Sequence, residues 1–151
     1  MTEIDIISSG EYPCNVLSNF YENRFTLDEV ECASMEGFLQ SLKFRLKRKQ
    51  RKICALVGRA AKDAGTKKVK WKKTGRLYWN GKKYKRDSVE FDELRRRAYA
   101  QLFNNETFRT ALMSTVGNNL THSIGKHDKF DTILTEEEFI GYLTELRDKH
   151  E

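Results

Sequence analysis

Glu36, Gln40 and Lys43 stand four and then three residues apart, in a stretch whose apolar positions Met35, Phe38, Leu39, Leu42 and Leu46 recur with a helical period. On a helix this spacing sets the acid, the amide and the amine within about 60° of one another, on one stripe. The stripe borders the apolar face of Met35, Leu39 and Leu42, so the three groups are expected to be partly withdrawn from water. Partial burial raises a carboxyl pKa toward the range useful for proton transfer, and it lowers that of an amine until the amine becomes a nucleophile. The same spacing is commonplace on surface helices. Taken alone, it leaves a catalytic and a purely structural reading open.

The elements that must position these residues can be read from periodicity and caps. The segments 4–8, 24–27 and 29–33 read as short strands, with the loop Leu17-Ser18-Asn19-Phe20 between the first two. A helix is expected from Ser34 to Leu46. A second uses Ile53, Leu56, Val57, Ala60, Ala61 and Ala64, with Gly65 as its stop. The segment 67–86 reads as a hairpin turning at Asn80-Gly81, the type I′ signal. Asp87 with Glu90 forms the capping box of a helix running to Phe103. Another helix starts at Asn104 or Asn105 and ends near Thr115, and Thr135 with Glu138 opens the last one. With 151 residues, 38% hydrophobic and 17 aromatics, the chain is expected to fold as one compact α+β domain over residues 1–151, mainly helical.

Other classes are excluded by composition. No apolar run reaches the roughly 18 residues of a membrane span, and the acidic N-terminus lacks a signal-peptide core, so a cytoplasmic location is expected. Cys14, Cys32 and Cys54 are odd in number and show no CxxC spacing, which makes them reduced packing residues. His122 and His127 are too isolated to be metal ligands, and no metal or cofactor is expected. The net charge of +6 conceals a partition: −7 over residues 1–42, +18 over 43–86 and −5 over 87–151. A concentrated positive block favours phosphates, in nucleic acid or in a small metabolite, or it is simply a solvated face.

Three sets of residues together resemble the NADAR (YbiA-like) superfamily of N-glycosidases. They are Leu17-Ser18-Asn19-Phe20, the run from Met35 to Phe44 with Glu36, Gln40 and Lys43, and Ala60-Ala61-Lys62-Asp63-Ala64-Gly65, followed by Leu120-Thr121-His122. The resemblance spans nearly the whole chain. It implies cleavage of the bond between a ribose C1 and a nitrogen, either in ADP-ribosylated guanine of nucleic acid or in phosphoribosylamino intermediates of riboflavin synthesis. It also implies roles: Lys43 attacks C1 through a Schiff-base intermediate, Glu36 is the general acid/base and Gln40 orients them. Ser18, Asn19, Phe20 and His122 contact substrate.

The chain departs from the family pattern at several places. Met35 stands where Ser is usual and Gly37 where His is common. Asp87 falls where a Trp precedes the long helix, no W-G element is found around 129–132, and Glu137-Glu138-Phe139-Ile140 replaces an N-x-L-G segment. The basic insertion 67–86 interleaves Trp71, Tyr78, Trp79 and Tyr84 with lysines, a mixture suited to phosphate contact and base stacking. Lys72, Lys73, Trp79, Lys82 and Lys83 are accordingly expected to hold nucleic acid, DNA being the favoured substrate. An ordinary hairpin with its aromatics turned inward is the structural alternative. A metabolite glycosidase and a non-catalytic reader of ADP-ribose or nucleic acid are the functional ones.

Overall fold

The computed structural model describes residues 2–151. Among them the chain forms eight helices and three two-stranded sheets around one hydrophobic core. β1 (Glu3–Asp5) runs parallel to β6 (Asn119–Thr121), with Ile4 opposite Leu120. The short helix α1 (Cys14–Leu17) leads to an antiparallel pair, β2 (Phe25–Leu27) and β3 (Val30–Cys32), in which Phe25 faces Cys32. Then come α2 (Met35–Ser41), α3 (Lys47–Cys54), α4 (Gly58–Thr66) and α5 (Trp71–Thr74). The antiparallel β4 (Arg76–Trp79) and β5 (Lys82–Lys85) follow, then α6 (Val89–Leu102), α7 (Glu106–Met113) and, after β6, α8 (Glu136–Lys149). The α+β, mainly helical class expected from the sequence is what forms. No helix among the described residues is long and apolar enough to cross a membrane.

α2 starts where its cap dictates. Ser34 accepts a bond from the Gly37 amide at 3.0 Å and donates its hydroxyl to the Leu56 carbonyl at 2.8 Å, tying the helix start to the α3–α4 connection. The helix packs so closely there that a Cβ on Gly37 would lie 2.8 Å from the Ile53 and Leu56 carbonyl oxygens. No side chain fits at that position. The helix ends at Ser41 rather than at Leu46, because its last carbonyls find partners elsewhere. Gln50 donates to the Ser41 oxygen at 3.1 Å, and the Tyr78 amide donates to that of Leu42 at 2.9 Å.

The second expected helix, drawn through Ile53 and Ala64, is two helices. The Ala33 amide takes the Cys54 carbonyl at 2.8 Å, and Gly58 adopts φ +54° while donating to the Phe20 carbonyl at 3.1 Å, so the chain breaks between them. Gly65 lies inside α4 and is not its stop. The hairpin turns at Asn80-Gly81 with both φ angles positive, at 51° and 90°. It is confined to 76–85, since Trp71–Thr74 is helical. Ser88, not Asp87, caps α6, accepting from the Phe91 amide at 3.1 Å, whereas Asp87 accepts from Lys129. The first strand is shorter than expected, and its partner β6 carries no strand signature of its own. The three cysteines are free thiols, Cys32 and Cys54 within the core.

The Thr135–Glu138 capping box forms with both bonds in place, and Glu138 does more than cap. Its carboxylate accepts Arg86 Nη2 at 2.8 Å and Arg95 Nη1 at 2.9 Å, with second bonds from each guanidinium at 3.2 and 3.0 Å. Both arginines are almost fully buried. Burial alone would raise the Glu138 pKa, but the two guanidiniums outweigh it and hold the carboxyl down at about 2, against an ordinary 4.5. Glu138→Gln strands two buried cations, and in urea unfolding it should cost about 3–5 kcal/mol. Arg96→Ala, which breaks exposed pairs, should cost at most about 1 kcal/mol. Because the folded pKa lies below the unfolded one, this stabilisation is complete above pH 4.5 and disappears as pH falls toward 2. The Glu138→Gln variant should therefore lose less stability than the wild type between pH 4.5 and 2, the remaining loss coming from other depressed carboxyls such as Asp28.

Candidate active site

Ser18, Asn19 and Phe20 from the loop after α1, Glu36 and Gln40 from α2, Lys43 from the turn beyond it and His122 after β6 line one cavity of about 550 Å³. The structure thus brings together all seven residues read from the sequence as catalytic or substrate-binding. Ser18 does local work, its hydroxyl accepting the Phe20 amide at 3.2 Å. The Asn19 carbonyl accepts the Glu36 amide at 3.0 Å, satisfying a free N–H of the first turn of α2 and locking the loop onto the helix. The Asn19 side-chain oxygen accepts from the Tyr99 hydroxyl at 2.8 Å. Burial pushes that phenol well above its ordinary pKa, so it remains a donor and leaves the Asn19 amide N–H groups for a ligand.

Gln40 donates to Glu36 Oε2 at 2.7 Å, and Lys43 Nζ donates to the Gly65 carbonyl at 3.1 Å. Burial raises the pKa of Glu36, with the Gln40 bond and the nearby Lys43 opposing. Burial lowers that of Lys43 to about 8; Lys72 and Lys126 push the same way, and the attraction of Glu36 opposes them. Burial thus shifts both groups toward their uncharged forms, the acid upward and the amine downward. His122 Nδ1 donates to the Ile6 carbonyl at 2.7 Å, which leaves Nε2 to meet a ligand. Its ring stands edge-on to Phe139 at 5.2 Å.

The residues expected to hold nucleic acid are not one group. Lys72 lines the cavity and is bonded to Asp131 at 3.0 Å. Lys73, Lys82 and Lys83 are exposed and do not line it. Trp79 is only 2% exposed, packed edge-on to Phe38 with ring centroids 4.9 Å apart and donating Nε1 to Asp28 at 2.8 Å. Trp79 is therefore a core residue, which overturns its reading as a base-stacking platform: Trp79 and Tyr84 of the hairpin turn inward, while Tyr78 is half-buried.

No sequence signal points to Tyr99 or to a cavity role of the cations Arg59, Lys62 and Lys126, which with Lys68 of the basic segment join Lys43 and Lys72 in the cavity wall against only Glu36 and Asp131. Such a wall suits a ligand with several negative charges. His127 is not isolated either. Its ligand atom and those of Glu136 and Glu137 lie within 4.8 Å of one another at the surface, but Nδ1 is taken up by Glu137 at 2.6 Å.

Gly65, inside α4, leaves space for a neighbouring side chain. A Cβ there would lie 1.9 Å from Gln40 Oε1 and 2.8 Å from its Cδ. Gly65→Ala should therefore swing Gln40 off Glu36 while α4 gains an alanine inside the helix. The expected outcome is a melting temperature within a few degrees of the wild type and ligand turnover reduced about tenfold or more. An unchanged turnover would show that the Gln40–Glu36 bond is dispensable.

The model of the family described as Bacteriophage protein GP30.3 matches residues 11–148. A protein of Enterobacteria phage T4, described as the uncharacterized 17.1 kDa protein in the Gp30-rIII intergenic region, is 40% identical over 150 residues, covering 98% of this chain and 99% of that one. The NMR structure of the E. coli protein YbiA superposes with a TM-score of 0.66 at 19% identity, covering 99% of this chain and 84% of that one, and so shares its fold. The chain belongs to the Bacteriophage protein GP30.3 family, a NADAR-type family of the YbiA-like superfamily.

Proposed function

We propose that the protein is an N-glycosidase that removes ADP-ribose from ADP-ribosylated guanine in DNA. The observation that carries this reading is the pairing, in one cavity, of a carboxyl whose pKa is raised with an amine whose pKa is lowered to about 8. A glycosidic nitrogen is a poor leaving group until it is protonated, and a neutral amine is a good trap for a sugar carbon. The cations of the cavity wall suit the two phosphates of ADP-ribose, and Phe20 offers a flat apolar surface beside Asn19.

The steps follow from these groups. The Lys43 amine attacks ribose C1 while the C1–N bond breaks. The bonding pair stays on the departing nitrogen, which takes the proton of Glu36. The new C1–Nζ adduct gives a proton to the Glu36 carboxylate, which passes it to the ring oxygen as the ribose opens to a protonated Schiff base. Water then adds at C1 and gives a proton to the Glu36 carboxylate, restoring the acid; the carbinol proton moves to Nζ as the C1–Nζ bond breaks, and the neutral amine and the sugar aldehyde are released. Gln40 fixes the Glu36 carboxylate, and the Asn19 amide and His122 Nε2 meet sugar hydroxyls.

A second reading, a metabolite glycosidase acting on phosphoribosylamino-pyrimidines, is favoured by one observation: the cavity is of mononucleotide size and carries its own cations. Incubation with ADP-ribosylated DNA and with free phosphoribosylamino-pyrimidines separates the two, because only one of them should yield released sugar.

Lys43→Ala should abolish turnover and leave folding intact, and borohydride should trap a covalent adduct in the wild type only. Retained turnover rejects the Schiff-base step. With a proton required on Glu36 and none on Lys43, kcat/KM should be bell-shaped in pH, with one limb near pH 8. Glu36→Gln should slow the reaction by about two to four orders of magnitude. Its residual rate should rise through pH 8 without a descending limb, since only the amine still titrates. A bell that survives this substitution removes Glu36 from the proton transfer.

A further inference from the structure

We infer that the exposed face of α3, together with the β4–β5 turn that it holds, is a docking surface for the sugar–phosphate backbone of a polynucleotide passing the cavity. The inference rests on the glycosidase reading only for what enters the cavity, and the surface itself is defined without it. α3 presents Lys47, Arg48, Lys49, Arg51 and Lys52 to solvent while Gln50, Ile53 and Cys54 are buried. Among the described residues none of the five forms an ion pair, although Arg24, Arg59, Arg96, Arg97, Lys126 and Lys129 elsewhere each have a carboxylate partner.

Helix electrostatics oppose this arrangement. Lys47, Arg48 and Lys49 sit in the first turn, where the helix dipole favours acids, and Lys47–Arg51 and Arg48–Lys52 are like charges at i, i+4. Arg51 and Lys52, in the last turn, gain from the dipole, but among the described residues no carboxylate pairs with any of the five, whereas a row of phosphates would offset their repulsion.

The surface is rigid and leads to the cavity. Buried Gln50 donates to the Tyr78 carbonyl at 2.8 Å and accepts the Asn80 amide at 3.1 Å, clamping the turn against α3. The Lys47 stem covers Gly81, where a Cβ would lie 2.9 Å from Lys47 Cε, so Lys82 and Lys83 extend the row at this end. On the opposite side of the same first turn Lys49 and Lys68 approach one Phe44 ring, with Nζ 5.7 and 5.1 Å from its centroid, and Lys68 lines the cavity. The eight residues of α3 span about 12 Å, the axial rise of roughly three nucleotides in a duplex strand. A bilayer is the poorer partner: the apolar residues of α3 point inward, and Leu46 before it is the one exposed large apolar side chain between residues 43 and 68.

The test is binding of an unmodified duplex DNA oligonucleotide, read by fluorescence anisotropy over a salt series, which requires no turnover. Combined Lys47→Gln, Lys49→Gln, Arg51→Gln and Lys52→Gln should weaken binding about tenfold or more at about 0.1 M salt, and should lower the slope of log K against log salt by about three to four. Removing like charges leaves the helix at least as stable, which circular dichroism melting checks. A control variant with Arg24, Lys129 and Lys149 changed to Gln should bind nearly as the wild type does. The proposal is overturned by an unchanged slope in the α3 variant, by an equal loss in the control, or by capture of phosphatidylserine vesicles through α3 without DNA binding. A glycosidase inactive on every substrate that still binds DNA through α3 would sink the catalytic reading and leave this one standing.

Discussion

Much of the architecture hangs on one carboxylate. Glu138 of α8 takes four bonds from Arg86, at the end of β5, and Arg95, on α6, so that hairpin, long helix and final helix meet at a single buried point. Taking two guanidiniums out of water is costly, and it is tolerable only where every donor finds a partner. Here the surplus donors reach the cavity wall: Arg86 Nε donates to the Thr132 carbonyl at 3.0 Å and Arg95 Nη1 to that of Ile133 at 2.8 Å. The loop carrying those two residues has no secondary structure of its own, and the triad gives it a fixed path. α6, anchored at Arg95, carries Tyr99 one turn further on, and Tyr99 holds Asn19. The constraint therefore runs from the core to the substrate cavity.

The cavity depends on missing side chains as much as on present ones. Gly37 lets α2 settle on the carbonyls of the α3–α4 connection, and Gly65 leaves the space into which Gln40 fits. Both approaches bring the α3–α4 segment close against α2, beside Glu36 and Lys43, whose burial shifts their acid and base strengths. Desolvation of the pair is thus a packing property, produced by two helices drawn together more closely than larger residues allow.

The sequence was legible where a signal is local. The Asn80-Gly81 turn, the Thr135–Glu138 box and the stripe of Glu36, Gln40 and Lys43 each depend on residues a few positions apart, and each forms. Helix limits were not legible when a distant group decided them. Gln50 and the Tyr78 amide end the first helical pattern early, and the Ala33 amide and Ser34 hydroxyl break the second. The departures at Gly37 and in the Glu137–Ile140 segment are explained by packing: the first abuts carbonyls, and the second supplies Glu138 to the triad and Phe139 to the core beside His122. Trp79 was misread because alternation along a hairpin names two faces without saying which is inside.

The +18 block shows the same limit of arithmetic on charge. Its cations have three fates, decided by what lies within reach of each. Arg86 is consumed in the core by Glu138. Lys43, Lys62, Lys68 and Lys72 turn to the cavity, where burial first, and then repulsion from Lys72 and Lys126, keeps the Lys43 amine weakly basic. The cations of α3 form no ion pair among the described residues, and three of them crowd the first turn, where the helix dipole disfavours them. A charge that is stabilised internally is structural, one that perturbs a neighbour is chemical, and one left repelling its neighbours on a rigid surface is available to an external anion. The sum over the block cannot separate these, but the geometry of partners does.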